Sequence, residues 1–373
     1  MGTEKETVVL GAGLAGMVAS IILAREGREV RVLESAKGLG GNSPFHPSLH
    51  ATPVDIGKVA SWTGLDTDRM FTLGNESKTF IGSQVFYQKP MYIVERGNRP
   101  TAIDTYLFEE ARRLGVAFEF GHHVNDPKEL PKGSIIATGY HPSMYRAFNM
   151  PCAKGEGYNL VAENDDPSLE GNVYSWITPY TEDYAYGCVL NGMRYLLLFS
   201  RFSMPREALD QFQRDLKETL GWEHDNWGTI RNHPYPWTFK RPKLIVDDYI
   251  LAGAAGNNID PMGGFGIHGA ILSGVIAARA ISNPGKAEEE LKKLNKRFTF
   301  AAVTFESMKH MPAGDRFRRV VLTYPELFGP MMYLMGRGIP GYDRNWCTEV
   351  ITGYYKGRGL GERLEDMKKI FTY

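Results

Sequence analysis

The feature that most constrains this fold is a glycine-rich turn near the N-terminus, residues 11–16 (Gly-Ala-Gly-Leu-Ala-Gly). The apolar run Thr7–Leu10 comes directly before it and predicts a strand buried on both faces. Met17–Glu26 then has the composition of a helix, and Arg28–Leu33 alternates as a second strand that ends at Glu34. A strand, a tight turn, a helix and a second strand in this order predict an α/β fold.

The spacing within this unit predicts a dinucleotide-binding site. Gly11 allows the tight turn, Gly13 lets a pyrophosphate approach the helix N-terminus, and Gly16 lets helix and strand pack closely. Glu34 lies about 20 residues further on, where a carboxylate binds both hydroxyls of an adenosine ribose and disfavours a 2′-phosphate. The expected cofactor-binding residues of this unit are Gly11, Gly13, Leu14, Ala15, Gly16, Glu34 and Ser35.

A second match to the same glycine spacing, at Gly336–Gly341, is interpreted as a loop. It contains Pro340 and is followed by a polar and aromatic stretch rather than by a helix. We therefore find no separate NAD(P)-binding domain in the sequence.

Charge and cysteine content exclude several classes of protein. The 373-residue chain has 43 basic and 43 acidic side chains, so it lacks the positive field of a nucleic-acid-binding protein. Its 3 cysteines form no CxxC pair, which excludes a disulfide scaffold and a cysteine-based metal site. Because we find no signal-peptide pattern and no apolar stretch of the roughly 20 residues that a membrane span needs, we expect a cytoplasmic protein.

Several later segments favour FAD as the dinucleotide. A Gly-Gly turn at 38–41 follows the second strand, as in flavoproteins that wrap the adenylate. Gly133–Gly139 is interpreted as a buried strand that ends at a glycine turn. The loop 257–266 carries three glycines before the helix Ile267–Ile281, and such a helix N-terminus suits the pyrimidine edge of a reduced flavin. The further expected cofactor-binding residues are Gly41, Arg99, Val124, Thr138, Gly139, Gly253, Gly256, Gly263, Gly264, Phe265 and Gly266.

The order of these segments resembles the FAD-dependent oxidoreductases of the geranylgeranyl reductase and aromatic hydroxylase superfamily. The resemblance covers roughly residues 5–285 and is carried by the first glycine turn with Glu34, by Arg99–Leu107, by the Ala-Thr-Gly turn at 137–139 and by 252–266. It implies FAD as cofactor, and hydride transfer from reduced flavin to a C=C bond of an apolar substrate, for which an isoprenoid is one candidate. An external electron donor, NAD(P)H or a redox protein, would reduce the flavin again.

The same resemblance implies the domain organisation, and the chain length favours two interlocked domains over one. We expect a glutathione-reductase-type, Rossmann-like FAD-binding domain made of residues 1–60, 90–150 and 243–285. A mixed β-sheet substrate-binding domain, residues 61–89 and 151–242, is inserted into it. Residues 286–373 are expected to form a C-terminal helical cap.

Two departures from the family are visible. Where relatives read Gly-Asp-Ala-Ala-Gly, residues 252–256 read Ala-Gly-Ala-Ala-Gly, so the aspartate that hydrogen-bonds the ribityl chain is missing. Relatives also often place a cysteine shortly after the first Gly-Gly turn, whereas 41–50 contains none. His46 or His50 would then be the replacement proton donor, and the competing interpretation is that both are loop histidines in solvent.

Other residues allow two interpretations. His50, Trp176 and Tyr180 are candidates to line an apolar substrate cavity, and the aromatic pair fits the core face of a sheet equally well. A metal site at His122 and His123 is not expected, because neighbouring residues on a strand point to opposite faces. Residues 298–335 are rich in Phe, Met and Leu, which fits a packed cap and also a peripheral membrane contact.

Two alternative functions remain open. One is a flavin-dependent monooxygenase, for which simple hydroxylation fits better than halogenation because the Trp-x-Trp-x-Ile-Pro signature is absent. The other is a non-catalytic prenyl-lipid-binding protein on the same scaffold, as in GDP-dissociation inhibitors. The missing ribityl aspartate supports the second alternative, and the intact glycine turn with Glu34 argues against it.

Overall fold

The computed structural model describes residues 6–40, 46–82, 84–88, 90–150, 152–181, 183–200, 204–236, 243–260 and 264–295. The strands are β1 Thr7–Leu10, β2 Val30–Glu34, β3 Ser48–Thr52, β4 Thr72–Leu73, β5 Glu76–Ile81, β6 Gln84–Gln88, β7 Tyr92–Arg96, β8 Ala117–Phe120, β9 Ile135–Ile136, β10 Cys152–Glu163, β11 Asn172–Ile177, β12 Tyr184–Leu190, β13 Met193–Ser200, β14 Gly228–Pro236, β15 Ile245–Val246 and β16 Tyr249–Leu251. The α-helices are α1 Leu14–Arg25, α2 Ile56–Thr63, α3 Ile103–Arg113, α4 Pro142–Ala147, α5 Ala208–Leu220 and α6 Ile267–Ser282, and residues 284–295 are also helical.

The first sheet has the strand order β15-β16-β9-β1-β2-β8 and is parallel except for the edge strand β15. All four residues of β1 are buried, as expected for a central parallel strand. Helix α1 returns the chain from β1 to β2 and packs closely against α6. A Cβ at Gly274 of α6 would lie 2.5 Å from the Ala15 carbonyl oxygen, so glycine permits this close packing. The predicted Rossmann-like α/β fold is confirmed.

The second sheet has the order β14-β10-β13-β12-β11-β5-β6 and is mixed. Its strand pairs are antiparallel except that β11 runs parallel to β5, with Val173 opposite Ser77. Apolar side chains alternate along β13, so the sheet has two buried faces. We call the outer face the one that carries Leu196 and Leu198 and packs on α5, and the inner face the one that carries Tyr195 and Leu197.

A small third sheet, β3-β7-β4, joins the two large ones. Leu49 of β3 and Ile93 of β7 pack against Tyr195 of the inner face and against Ile259, which follows the last strand of the first sheet. We call this contact region, defined by these four residues, the junction. The junction holds the third sheet and the segment after β16 against the mixed sheet.

Part of the segment 61–89 packs with the first sheet. Leu65, Met70 and Phe71 pack in the same apolar core as Val9 of the first sheet, although residues 61–89 were assigned to the substrate-binding domain. The mixed sheet begins only at β5, because the preceding β4 pairs with β7. Ala287 and other residues at the start of the predicted cap also pack in the first core, and residues 296–373 lie outside the described part of the chain.

Within the described ranges, every helix is too short or too polar to cross a lipid bilayer.

Candidate functional site

The three glycines of the first turn are required for different reasons. A Cβ at Gly11 (φ +106°) would lie 2.5 Å from the Ala137 carbonyl oxygen, and one at Gly16 would collide with the Gly11 carbonyl oxygen. These two positions are therefore fixed by the packing of the chain itself. A Cβ at Gly13 would meet no atom within 4 Å. Packing does not explain the glycine at 13, whereas a ligand lying on this turn does.

Glu34 lies at the end of β2, beside this turn. Its Oε2 accepts a hydrogen bond from the Ala12 N–H (2.8 Å), and its Oε1 accepts one from the Ala36 N–H (2.8 Å) and one from the Ser35 hydroxyl (3.2 Å). These bonds fix the carboxylate, and its oxygens keep lone pairs for further donors. The structure therefore brings Glu34 and Ser35 to the glycine turn, where ribose hydroxyls fit as donors.

The Ala-Thr-Gly turn after β9 forms a second side of the site. Thr138 Oγ1 is buried and has no hydrogen-bond partner among the described residues. Gly139 has φ +61°, and a Cβ there would meet no atom within 4 Å. A buried hydroxyl without a partner is costly in a finished core, so its presence here fits a bound polar group.

His141 is a residue that the sequence interpretation missed, although it follows the Ala-Thr-Gly turn by two positions. Its Nδ1 is also buried without a partner in the described part of the chain. Burial lowers the pKa of His141, Arg146 and His123 add to the effect, and the charge of Glu34 acts in the opposite direction. The neutral imidazole thus lies within the field of the carboxylate expected to hold the ribose.

A third side of the site comes from the segment between β16 and α6. Gly253 (φ +62°) approaches the first turn so closely that its Cβ would lie 3.0 Å from the Ala15 Cβ. Its N–H donates to Ser273 Oγ (2.8 Å), a contact between distant residues that no local pattern indicates. Directly before α6, the Gly264 N–H donates to the Asp260 carbonyl oxygen and the Asp260 N–H donates to the Phe265 carbonyl oxygen, both at 3.0 Å. Gly256 and Gly266 belong to the same segment.

Several predicted cofactor residues have other positions or remain untested. Gly41 and Gly263 lie outside the described residues. Val124 is buried beside the first sheet, and its contact with adenine stays a prediction. Arg99 forms an ion pair with Glu95 (3.4 Å) and donates to the Asn191 carbonyl oxygen (2.8 Å). The guanidinium therefore links β7 to the β12–β13 turn, and its contact with a cofactor also stays a prediction.

The histidine pair near the end of β8 gives no sign of a metal site. His122 Nδ1 lies 3.1 Å from Glu119 Oε2 at the surface. Within the described ranges, no group of three or more His, Cys, Asp or Glu side chains is arranged to hold a metal ion.

His46 and His50 are neither free nor in open solvent. His46 Nδ1 lies 2.9 Å from Ser48 Oγ, and Ser48 Oγ lies 2.8 Å from His50 Nε2. His50 Nδ1 lies 3.4 Å from the Tyr186 hydroxyl, which donates to the Leu49 carbonyl oxygen (3.1 Å). The interpretation of both as solvent-exposed loop histidines is wrong, because they belong to one hydrogen-bonded chain at the junction.

The electrostatics of the junction keep these histidines neutral. Burial lowers the pKa of His46 to about 4 and that of His50 to about 3, and the charge of Arg96 adds to both effects. Arg96 itself forms a two-bond ion pair with Asp104, at 2.7 and 2.9 Å. Asp104 offsets part of the effect of Arg96 on both histidines.

Tyr140 connects the junction to the start of α6. Its hydroxyl lies 3.8 Å from the Cβ position of Gly266, and its ring packs edge-on against His233, with centroids 5.3 Å apart. Burial raises the pKa of Tyr140 and lowers that of His233 to about 4. The Tyr140 side chain therefore lies beside the start of α6, with His233 behind its ring.

Trp176 and Tyr180 are not placed with His50. Trp176 lies on the outer face and packs against Phe212 of α5, with ring centroids 5.3 Å apart. The Tyr180 hydroxyl donates to Asp215 Oδ2 of the same helix (2.6 Å). Because His50 contacts the inner face, the expectation that all three residues line one cavity is wrong, and the core interpretation describes the aromatic pair.

Sequence comparison places the N-terminal unit in a known class. Residues 9–73 match the family described as an NAD(P)-binding Rossmann-like domain. Two proteins of Arabidopsis thaliana are similar to this region. The chain is 40% identical over 65 residues to lysine-specific histone demethylase 1 homolog 3, and 39% identical over 59 residues to the flavin-containing monooxygenase FMO GS-OX2. These matches cover 17% and 16% of this chain and span only 4% and 13% of the two relatives.

Structural comparison extends the likeness to nearly the whole chain. The fold is similar to that of a geranylgeranyl bacteriochlorophyll reductase-like protein from Thermoplasma acidophilum, with a TM-score of 0.64, 16% identity, and coverage of 97% of this chain and 98% of that chain. It is also similar to that of CtdE, solved in complex with FAD, with a TM-score of 0.58, 14% identity, and coverage of 85% and 98%. Residues 9–73 therefore match an NAD(P)-binding Rossmann-like domain, and the chain as a whole shares the fold of these two solved proteins.

Proposed function

We propose that this chain is an FAD-dependent oxidoreductase. The observation that carries the proposal is the unexplained space at Gly13, where a side chain would meet no protein atom although both neighbouring glycines of the motif are required by packing. Thr138 Oγ1 and His141 Nδ1, buried without partners among the described residues, fit the same ligand.

Described residues at both ends of the proposed site support this assignment. Gly13 and the N-terminus of α1 would hold the pyrophosphate, and Glu34 would hold the adenosine ribose. The segment from Gly253 to Gly266 would hold the flavin end at the start of α6, next to the junction. When bound, FAD supplies the hydride chemistry, and the chain supplies binding, orientation and exclusion of water.

For the reaction, we propose hydride transfer to a C=C bond of an apolar substrate that binds at the junction. The inner face there is apolar and aromatic, which supports such a substrate. The side chains that give it this character are Tyr186, Cys188, Leu190, Tyr195, Leu197 and Phe199. An external donor, NAD(P)H or a redox protein, would supply the electrons.

A matched pair of glycine variants tests FAD binding. We expect the wild-type protein, mixed with FAD and freed of excess by gel filtration, to keep a flavin absorption spectrum. Gly13→Val should lose at least about 100-fold in FAD affinity, since its side chain would fill the pyrophosphate position, while it folds normally because the site is open and φ is −80°. Gly57→Ala, at an exposed helical glycine, should bind as the wild type does.

The outcomes separate the candidate functions. A wild-type protein that takes up no FAD would leave the non-catalytic lipid-binding alternative, whereas equal FAD affinity of wild type and Gly13→Val would disprove our assignment of the site. For the protein loaded with FAD and reduced by dithionite, we expect reoxidation by an unsaturated lipid in the absence of oxygen.

Oxygen-dependent hydroxylation is the second candidate, supported by the similarity of residues in the N-terminal unit to a flavin-containing monooxygenase. It predicts that substrate accelerates oxygen consumption by the reduced protein. An oxygen electrode distinguishes it from the reductase, for which substrate should not raise oxygen uptake, because substrate and oxygen compete for the same two electrons of the reduced flavin.

A further inference from the structure

We propose that His46 Nε2 is a hydrogen-bond acceptor that selects a substrate carrying an O–H or N–H group. The inference rests on the proposed function only for placing the substrate at the junction. It follows from the direction in which protons are arranged along the chain of hydrogen bonds from His46 through Ser48 and His50 to Tyr186.

The direction is fixed at the Tyr186 end. A backbone carbonyl oxygen can only accept, so in the 3.1 Å contact with Leu49 the Tyr186 hydroxyl is the donor. Its single proton is then used, and the hydroxyl oxygen acts as acceptor toward His50 Nδ1 at 3.4 Å. His50 therefore carries its proton on Nδ1.

The proton on His50 Nδ1 determines the donors and acceptors of the remaining hydrogen bonds. A neutral imidazole has one N–H, so His50 Nε2 is an acceptor and the Ser48 hydroxyl donates to it. Ser48 has no second proton, which makes its oxygen the acceptor for an N–H on His46 Nδ1. His46 Nε2 is then left with a lone pair. The lowered pKa values of both histidines support the neutral forms that this argument uses.

The opposite arrangement is less favourable. If every proton were reversed while the Tyr186 hydroxyl kept its bond to the Leu49 carbonyl oxygen, His50 Nδ1 would be an acceptor that faces an oxygen with no proton to donate. Leaving a buried acceptor without its donor costs about 1–3 kcal/mol. His46 is therefore held as an acceptor, and the sequence interpretation that makes it a proton donor is not the state that this network stabilises.

His46 Nε2 lies at the end of this series of hydrogen bonds, opposite to Tyr186. Its side chain is half-buried, and Nε2 has no partner in the part of the chain that the structure describes. The charged groups that act on it are Arg96 of β7 and Asp104 of α3, which are paired with each other, so the site presents a neutral acceptor rather than an ion. Such an acceptor suits a phenol, an alcohol or an amine N–H on an otherwise apolar molecule.

The arrangement of protons is tested without any ligand. In ¹⁵N-labelled protein, two-bond ¹H–¹⁵N correlation spectra distinguish the two tautomers of each histidine ring, and we expect His46 and His50 both to carry the proton on Nδ1. Tyr186→Phe removes the hydroxyl that receives the His50 proton and should shift His46 toward the Nε2–H form. A His46 ring protonated on Nε2 in the wild type would overturn the proposal.

Selection of an O–H group is tested with two matched pairs of probes, phenol against anisole and 3-methyl-2-butenol against its methyl ether. In the protein loaded with FAD, binding is followed by the change in flavin absorbance. We expect one hydroxyl probe to bind about 10-fold more tightly than its ether. This preference should vanish in His46→Phe and persist in His122→Phe, at an exposed histidine. The pair that responds separates an aromatic from an isoprenoid substrate.

These experiments distinguish failure of the His46 proposal from failure of the proposed function. If no FAD binds, the proposed function fails while the tautomer spectra still test the proton arrangement. If FAD binds and each hydroxyl probe is bound no better than its ether, or if His46→Phe keeps the preference, the selective role of His46 is wrong even though the flavoprotein assignment stands.

Discussion

Gly253 shows at the scale of one residue why a family pattern cannot be transferred by alignment alone. It stands where the family that the sequence resembles is expected to carry an aspartate. In this structure it has φ +62°, its N–H donates to Ser273 Oγ, and its Cβ would lie 3.0 Å from the Ala15 Cβ. The left-handed backbone and the close packing therefore favour glycine, and the missing aspartate is compatible with the backbone seen here.

We predict that Gly253→Asp will destabilise the protein rather than improve FAD binding. The left-handed conformation should cost a residue with a Cβ about 1–2 kcal/mol, and contact with Ala15 adds to the cost. Urea unfolding measures the loss, and flavin fluorescence measures FAD affinity. Gly38→Asp is the matched control, because its Cβ would have free space, and it should change stability by less than about 0.5 kcal/mol. Tighter FAD binding at unchanged stability would contradict this account.

At the scale of elements, a buried ion pair ties β7 to α3 beneath the histidine chain. Arg96 makes two hydrogen bonds to Asp104, and Asp104 Oδ2 also accepts from the Gly97 N–H at 3.0 Å. Burial alone would raise the pKa of Asp104, but the charge and hydrogen bonds of Arg96 outweigh it, so that pKa is lowered. The pair fixes the turn that packs against Pro47, next to His46.

We predict that Asp104→Asn will destabilise the folded state by about 3–5 kcal/mol, because it leaves the Arg96 charge without its partner. Glu109→Gln is the control. It breaks an ion pair with Arg69 that is half exposed and should cost no more than about 1 kcal/mol. Urea unfolding at neutral pH compares the free energies of unfolding of the two variants. If both variants lose a similar amount of free energy, the Arg96–Asp104 pair stabilises the fold no more than an exposed ion pair does.

At the scale of the whole molecule, the contact between the two large sheets contains three histidines with lowered pKa values. His46 and His50 come from the region of the third sheet, and His233 comes from β14 of the mixed sheet. Burial is the largest cause in all three, with pKa values of about 4, 3 and 4. All three imidazoles at the contact between the sheets are therefore neutral at neutral pH.

We predict that the protein loses stability as the pH falls below 6.5, the ordinary value for histidine. Between that value and the folded-state pKa values the unfolded chain binds more protons, so stability is complete above the window and declines through it. Each histidine should contribute about 1.4 kcal/mol per pH unit. Urea unfolding between about pH 7.5 and about pH 5 measures the slope.

His50→Gln should reduce this slope by about one proton, whereas His122→Gln, at an exposed position, should leave it unchanged. A wild-type slope that His50→Gln does not alter would mean that His50 is already protonated in the folded state. That result would also contradict the neutral form of His50, on which the proposed role of His46 depends.

Local sequence was enough for the first sheet and for several residues of the proposed dinucleotide site. The turn at Gly11, the helix that follows it and the acid at the end of β2 lie within one short stretch, and their spacing alone places Glu34 beside the turn. Local sequence does not indicate that Trp176 faces α5 while His50 faces the other side of the sheet, because that depends on which element covers each face.

The sequence by itself therefore determined the α/β class, the glycine turn and the carboxylate expected to hold a ribose, since these depend on neighbours in the chain. Only the tertiary structure decided which glycine is left without a packing reason, where Gly253 and Ala15 meet, and how His46 is oriented. His50 and Tyr186 are 136 positions apart. The contact between these two side chains forms only once the mixed sheet has packed against the third sheet. The arrangement of protons that depends on this contact is therefore a property of the tertiary structure.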